Sequence, residues 1–140
     1  MKTLITCAAL LWCISTSAQK GIVVLKLSNI QSEKSGEISI GLFTKENFPK
    51  QGKQLRNYKF PVTVSNMEVV IEDVPLGTYA IAVYQDINKN GTLETNFIGM
   101  PQEPVGFSNN AKIRMGPPDF SEASFTVIDK EKLQLNITLR

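Results

Sequence analysis

The chain has 140 residues, a formal net charge of +2 and no histidine. Without histidine it cannot form a Ser-His-Asp triad, and with only two cysteines it also lacks the ligands of an ordinary zinc or copper site. Its 15 basic and 13 acidic residues nearly balance, so the sequence lacks the concentrated positive charge that is typical of nucleic-acid-binding proteins.

The first 18 residues have the three parts of a secretory signal peptide. Lys2 supplies the positive start, an apolar run follows from residue 4 to 14, and small residues lead up to Ala18. We predict cleavage after Ala18, so that the exported protein begins at Gln19 and is periplasmic or secreted. The apolar run is shorter than the roughly 20 residues that cross a bilayer, so we expect no membrane span after cleavage.

Loss of this leader removes both cysteines, Cys7 and Cys13, and the only tryptophan, Trp12. A lipoprotein signal at Cys13 is an alternative, but bulky Trp12 stands where such a signal requires a small residue. The remaining domain, residues 19–140, has no cysteine for a disulfide, so its stability must come from a hydrophobic core. About 120 residues are enough for one such core.

Apolar residues alternate with polar ones along most of this domain, which is the pattern of half-buried β-strands. Turn-forming residues separate the alternating segments, for example Ser35-Gly36 and Ser65-Asn66. The seven predicted strands contain Val23, Leu25 and Leu27; Ile38, Ile40 and Leu42; Tyr58, Phe60, Val62 and Val64; Val69 and Ile71; Tyr79, Ile81 and Val83; Phe125 and Val127; and Leu133, Leu135, Ile137 and Leu139.

Seven short strands with one apolar face each predict an all-β fold, a single antiparallel β-sandwich. The polar segment 45–57 is either a loop or one short helix. Residues 74–79, VPLGTY, resemble the V-P-x-G-x-Y corner of transthyretin-like and related immunoglobulin-like sandwiches. That resemblance implies a carbohydrate- or peptide-binding module, but we expect Tyr79 to be a core residue beside a simple chain reversal.

The loop after the fifth strand resembles the calcium loop D-x-[DN]-x-[DN]-G-x₅-E. Alternate oxygen-bearing side chains on a tight turn can converge on one cation, and calcium takes six to eight oxygens. The candidate metal ligands are Asp86, Asn88, Asn90, the Thr92 carbonyl, Glu94 and Glu103.

This calcium match is incomplete at its last position. Phe97 stands where the bidentate glutamate of such loops belongs, and Lys89 offsets part of the acidic charge. Any calcium site here is therefore expected to be weak, with a dissociation constant of about 10⁻⁴–10⁻³ M. The alternative is an ordinary polar turn whose Asn and Asp side chains bond their own backbone.

The segment from Asp86 to Phe120 is rich in Gly, Pro and Asn and is too long for an ordinary connection. It is either functional or disordered. Buried anchors at Phe97, Phe107 and Phe120 would indicate an ordered loop.

Residues 84–125 carry a recognisable set of motifs: Asp86 at a strand end, the N-x-N-G element 88–91, G-x-P-x-E at 99–103, GFSN at 106–109 and a Gly-Pro approach at 116–118. The set resembles the bacterial secreted family known as domain of unknown function 2141. The resemblance extends more weakly over residues 22–139. It implies the domain type but no activity.

Three functions are compatible with the sequence. The first, which we expect, is a secreted non-enzymatic β-sandwich protein with a weak calcium-ordered loop at residues 86–103. The second is a module that binds an envelope glycan, peptide or protein through an exposed face of Tyr84, Phe107 and Asn109. The third is a hydrolase that draws an acid/base pair from Asp86, Glu94 and Glu103, as glycosidases do with carboxylates about 5–9.5 Å apart.

Overall fold

The computed structural model describes residues 17–140. The predicted leader therefore lies outside the described residues, apart from its last two. No helix in the described part is long and apolar enough to cross a membrane. The strands are β1 (Lys20–Ser28), β2 (Glu37–Phe43), β3 (Arg56–Pro61), β4 (Met67–Pro75), β5 (Gly77–Asp86), β6 (Val105–Phe107), β7 (Phe125–Val127) and β8 (Lys132–Thr138); one α-helix, α1 (Phe120–Ala123), and 3-10 turns at Ser32–Lys34 and Ser108–Asn110 complete the elements.

The strands form two sheets, as a β-sandwich requires. One sheet has the order β4-β1-β8, and the other has the order β3-β2-β5-β6, with β7 also paired to β5. Every pair is antiparallel except β1 with β8, which run parallel with Leu25 beside Leu135. The predicted antiparallel β-sandwich is confirmed, and only this pair departs from it, because apolar alternation does not specify strand direction.

The predicted apolar alternation builds the core between the sheets. Leu135 and Ile137, two residues apart on β8, are both buried, as their shared parity requires. Tyr79 is also a core residue, as expected. The fully buried members of this core include Val23, Leu25, Leu27, Ile38, Ile40, Leu42, Ile71, Val74, Ile81, Val83, Ile137 and Leu139.

The two sheets approach closely where β6 lies beside the end of β8. Val105 and Arg140 exchange two backbone hydrogen bonds, with N···O distances of 3.0 and 2.9 Å. A Cβ atom on Gly106 would lie 2.6 Å from Cγ2 of Ile137, so only glycine permits this approach.

Two details of the predicted strands and one candidate anchor of the long loop differ from the prediction. The third strand ends at Pro61, and Val64 is 49% exposed rather than part of a sheet. An eighth strand, β6, lies inside the segment that reads as a long loop. The anchor expected at Phe97 is fully exposed, whereas Phe107 is buried and Phe120 is half-buried.

A second apolar layer covers the outer face of the five-stranded sheet. The segment between β2 and β3 is a series of turns rather than a helix. Its Phe48 ring meets Phe43, Phe107 and Phe120 edge-on, with centroids 5.8 to 6.0 Å apart. Asp119 and Glu122 form a capping box that starts α1 and places Phe120 in this layer. The long segment is therefore folded onto the sheet.

Candidate ligand-binding groove and its neighbouring loop

A groove of about 690 Å³ lies on this outer face of the five-stranded sheet. Strand register places Asn57, Gly41, Ala82 and Phe107 side by side across β3, β2, β5 and β6. The two central residues of this row are the smallest, so the floor is concave between larger neighbours. The groove therefore depends on the alignment of these four strands as well as on the small size of the two central residues.

Gly41 is required at this point of the floor. A Cβ atom there would lie 2.6 Å from Cε2 of Phe43, so the missing side chain lets the Phe43 ring lie over β2. Ala82, its neighbour on β5, is partly exposed and faces the groove. Any larger side chain at Ala82 would occupy the space that a ligand would take.

Loops form the walls of the groove, and its chemistry is uncharged. Phe43, Leu93, Val105, Phe107 and Ile113 supply apolar surface. All lining residues lie in the described part of the chain, and none is Asp, Glu, Lys or Arg. The polar lining side chains are Ser39, Gln51, Gln54, Asn57, Tyr84, Thr92 and Thr95.

Tyr84 joins the apolar and polar parts of the groove. Its phenol is half-buried, and burial raises its pKa above the ordinary value. A hydrogen bond with Ser39 opposes this rise, and the nearby carboxylates of Asp86 and Glu103 reinforce it. Ser39 also donates to Oδ1 of Asn57 at 3.2 Å, so hydroxyl and amide groups are linked along one side of the floor.

The predicted calcium loop is a compact, hydrogen-bonded turn beside the groove. The buried Asp86 carboxylate accepts the backbone N–H groups of Asn90 at 3.1 Å and Gly91 at 2.7 Å. Oε1 of Glu94 accepts the side-chain amides of Asn88 at 2.6 Å and Asn90 at 2.9 Å. The structure therefore brings four of the predicted ligand residues together.

The other two predicted ligands have local roles. Thr92 donates its N–H and its hydroxyl to Oδ1 of Asn90 at 3.0 and 3.1 Å. The buried Glu103 carboxylate accepts the N–H groups of Ile87 at 2.9 Å and Glu94 at 3.2 Å, which ties the two ends of the loop together. These carboxylates satisfy backbone donors that would otherwise lack partners.

The loop leaves few free ligand atoms for a calcium ion. Within residues 17–140, no three acidic, histidine or cysteine side chains are arranged to hold a metal ion. A cation would depend on the spare lone pairs of Asp86, Asn88 and Asn90 and on carbonyl oxygens. Phe97 is 99% exposed and has no ligand atom. The loop's own hydrogen bonds account for its shape, so calcium stays a prediction.

The family comparison covers nearly all of the sandwich. Residues 25–135 match the model of a bacterial family described as "Uncharacterized protein conserved in bacteria (DUF2141)". The chain belongs to this family. The match confirms the resemblance predicted from the motifs, and it runs from β1 to β8 through the groove and the loop. No curated protein and no solved structure matches the chain significantly.

The GFSN motif that indicated the DUF2141 family has a structural role here. The buried Ser108 hydroxyl accepts the Ile81 N–H at 2.9 Å and donates to the Ala123 carbonyl. Asn109 is exposed, but its amide is engaged by the Ser124 carbonyl at 2.7 Å, and it does not line the groove. Tyr84 and Phe107 do line it, but Phe107 is buried rather than part of an exposed face, because it packs in the outer apolar layer.

Sequence reasoning missed the central floor residues Gly41 and Ala82 and the polar side chains of the β2–β3 segment. Small residues in strands carry no signal of their own. The one available indication was the cluster of Gln and Asn at Gln51, Gln54 and Asn57, which read as an ordinary polar loop.

Proposed function

We propose that this chain is an exported, non-enzymatic member of the DUF2141 family that binds an envelope glycan or peptide in the groove. The observation that carries the proposal is the groove itself. Its size lies within the range of about 300–1,000 Å³ that is typical of small-ligand sites, and apolar surface alternates with a few polar groups, as in such sites.

The lining favours a neutral ligand that has both apolar and hydrogen-bonding faces. A charged group would find no opposite charge among the lining residues. The half-buried ring of Tyr84 offers apolar surface, and the amides of Gln51, Gln54 and Asn57 can bond hydroxyl or peptide groups. A neutral oligosaccharide and an uncharged peptide segment share this chemistry, and the former makes fuller use of the amides.

The positions of the carboxylates support binding rather than hydrolysis. None of the three acids considered for catalysis, Asp86, Glu94 and Glu103, lines the groove. Each accepts two hydrogen bonds inside the neighbouring loop. A hydrolase would need an acid and a base directed at the bound ligand.

A weak calcium site in the loop is a second candidate property. It is favoured by the gathering of the side chains of Asp86, Asn88, Asn90 and Glu94 around one turn. A bound cation would order one wall of the groove, because Gly91 and Thr92 belong to both the loop and the lining.

The substitution Ala82→Leu tests the groove. We expect amide resonances of the wild-type groove to shift on titration with a neutral N-acetylglucosamine tetrasaccharide or with blocked, uncharged peptides. Leucine at this position should weaken that binding by about tenfold or more, since it fills the floor that the ligand would occupy.

Thr78→Leu is the matched control, because Thr78 is an exposed residue on the same strand and the same face but outside the groove. It should leave affinity unchanged. Absence of localised shifts with both ligand classes, or equal binding by the Ala82→Leu and wild-type proteins, would overturn the groove assignment. Binding of the peptides alone would assign the ligand to that class.

A further inference from the structure

Two loop tips present large apolar side chains fully to solvent. Phe97 is 99% exposed and Ile98 68% exposed at the tip of the turn 95–101. Met115 is likewise wholly exposed in the segment before α1. Gly99 and Gly116, their close neighbours, line the same groove, so both tips lie at its rim.

The turn that carries Phe97 is held by its own hydrogen bonds. Thr95 and Pro101 form a β-bridge across its base. Oδ1 of Asn96 accepts the N–H groups of Ile98 at 3.1 Å and Met100 at 2.9 Å, while the Asn96 and Gly99 amides bond carbonyls within the turn at 2.9 Å. Four of the five amides from residue 96 to 100 are therefore satisfied without water.

Because these N–H groups are already hydrogen-bonded, moving the tip from water into an apolar medium costs less free energy. A backbone amide that loses water without another partner costs several kcal/mol in a lipid environment. For its N–H groups this tip avoids most of that cost, while among its carbonyls those of Asn96 and Met100 are bonded within the turn. The run from residue 95 to 102, TNFIGMPQ, also contains no charged side chain, so it carries no charge into an apolar phase.

Positive charge lies beside the second tip. Lys112 and Arg114 are exposed next to Met115. Arg114 pairs with Glu122 at 3.0 Å, whereas Lys112 forms no ion pair with any described residue. An anionic lipid surface complements this arrangement, because basic residues are attracted to it with about 1 kcal/mol each.

We propose that the tips at Phe97-Ile98 and Met115 insert into the interface of an anionic phospholipid membrane, with Lys112 at the headgroups. Insertion moves exposed apolar surface out of water, and aromatic and aliphatic side chains at a loop tip bind such interfaces. The groove then opens close to the lipid surface. The proposal is independent of which ligand the groove takes.

Trp12 is the only tryptophan of the chain and lies in the predicted leader, so Phe97→Trp creates a reporter in a domain that otherwise has none. Residues 17–140 contain both sheets and both apolar layers and are used without the apolar leader, which would itself bind lipid. On addition of phosphatidylglycerol-containing vesicles, the fluorescence of the introduced indole should shift to shorter wavelength. Val70→Trp, at a 49% exposed position on β4, should show no shift.

Vesicle co-sedimentation measures how strongly each variant binds the membrane. Phe97→Ser combined with Ile98→Ser should weaken binding by about tenfold or more, and Lys112→Gln by about fivefold on anionic vesicles only. All three positions are exposed, so folding should be preserved. Failure of the wild-type domain to bind at millimolar lipid, or equal binding by the double variant, would overturn the proposal. Self-association that needs Phe97 in the absence of lipid would assign the tips to a second copy instead.

Discussion

Single buried polar residues show where the sequence was informative and where it was not. Asp86 was identifiable because an acid at a strand end followed by N-x-N-G predicts a turn held by its carboxylate. Gln85 was not, although it is fully buried. Its side chain bonds the backbone of Gln31 and Ser35 and thereby ties β5 to the β1–β2 connection. Those partners are about 50 residues away, and no local pattern reveals them.

The raised pKa of Tyr84 gives a prediction at the scale of one residue. A folded state that favours the neutral phenol is fully stabilised below the unfolded pKa of about 10 and loses that contribution as pH rises through the higher folded value. We therefore expect the wild-type protein to lose more stability between pH 9 and 11 than Tyr84→Phe does. Urea unfolding of both proteins across this range measures it. Parallel losses would contradict the burial of Tyr84.

Strands were predictable wherever they are long and their core-facing apolar residues recur at every second position. β1, β2, β5 and β8 alternate clearly, because the period of two matches one buried side. β6 was missed because it has only three residues, VGF, set among Gly, Pro and Asn. Both of its apolar side chains face the outer layer while Gly106 faces Ile137, so its inward position shows no apolar residue at all.

The Asp86 loop yields a prediction at the scale of an element. If calcium binds with a millimolar dissociation constant, 10 mM calcium should stabilise the domain by about 1.4 kcal/mol, which is a few degrees in Tm. Asp86→Asn should remove most of this shift, since it deletes one of the few full charges in the ligand set. Lys89→Gln should keep or slightly increase it, because it removes a nearby positive charge.

The Asp86→Asn protein must be compared with and without calcium. The Asn90 and Gly91 N–H groups bond to different oxygens of Asp86, and asparagine replaces one of these oxygens by an NH₂ group that cannot accept, so this variant should be less stable even without calcium. The decisive quantity is therefore the change in Tm on adding calcium to each protein. If neither Tm nor the loop amide resonances respond in the wild type, the loop is a polar turn held by its own bonds.

The groove could not be predicted because it exists only at the scale of the whole molecule. Its floor depends on register across four strands, and its walls come from three separate loops that fold onto the sheet. Sequence reasoning found the sandwich and the unusual length of segment 86–120. The layer that this segment forms over β5 rests on distant contacts such as Phe48 with Phe120. Composition alone does not encode that pairing.

Ile137 tests whether the two sheets and the outer layer unfold together. It is fully buried on β8, beside β1 in its own sheet and against Gly106 in the other. Ile137→Ala should cost about 2–5 kcal/mol, because it leaves a cavity where both sheets meet. Val70→Ala, at an exposed site on β4, should cost about 1 kcal/mol or less.

Far-UV circular dichroism should follow the backbone and near-UV tyrosine signals should follow the side chains, with one common midpoint shifted for Ile137→Ala. Two separate transitions would show that the outer layer unfolds independently, and a cost below about 0.5 kcal/mol would contradict the placement of Ile137 in a packed core.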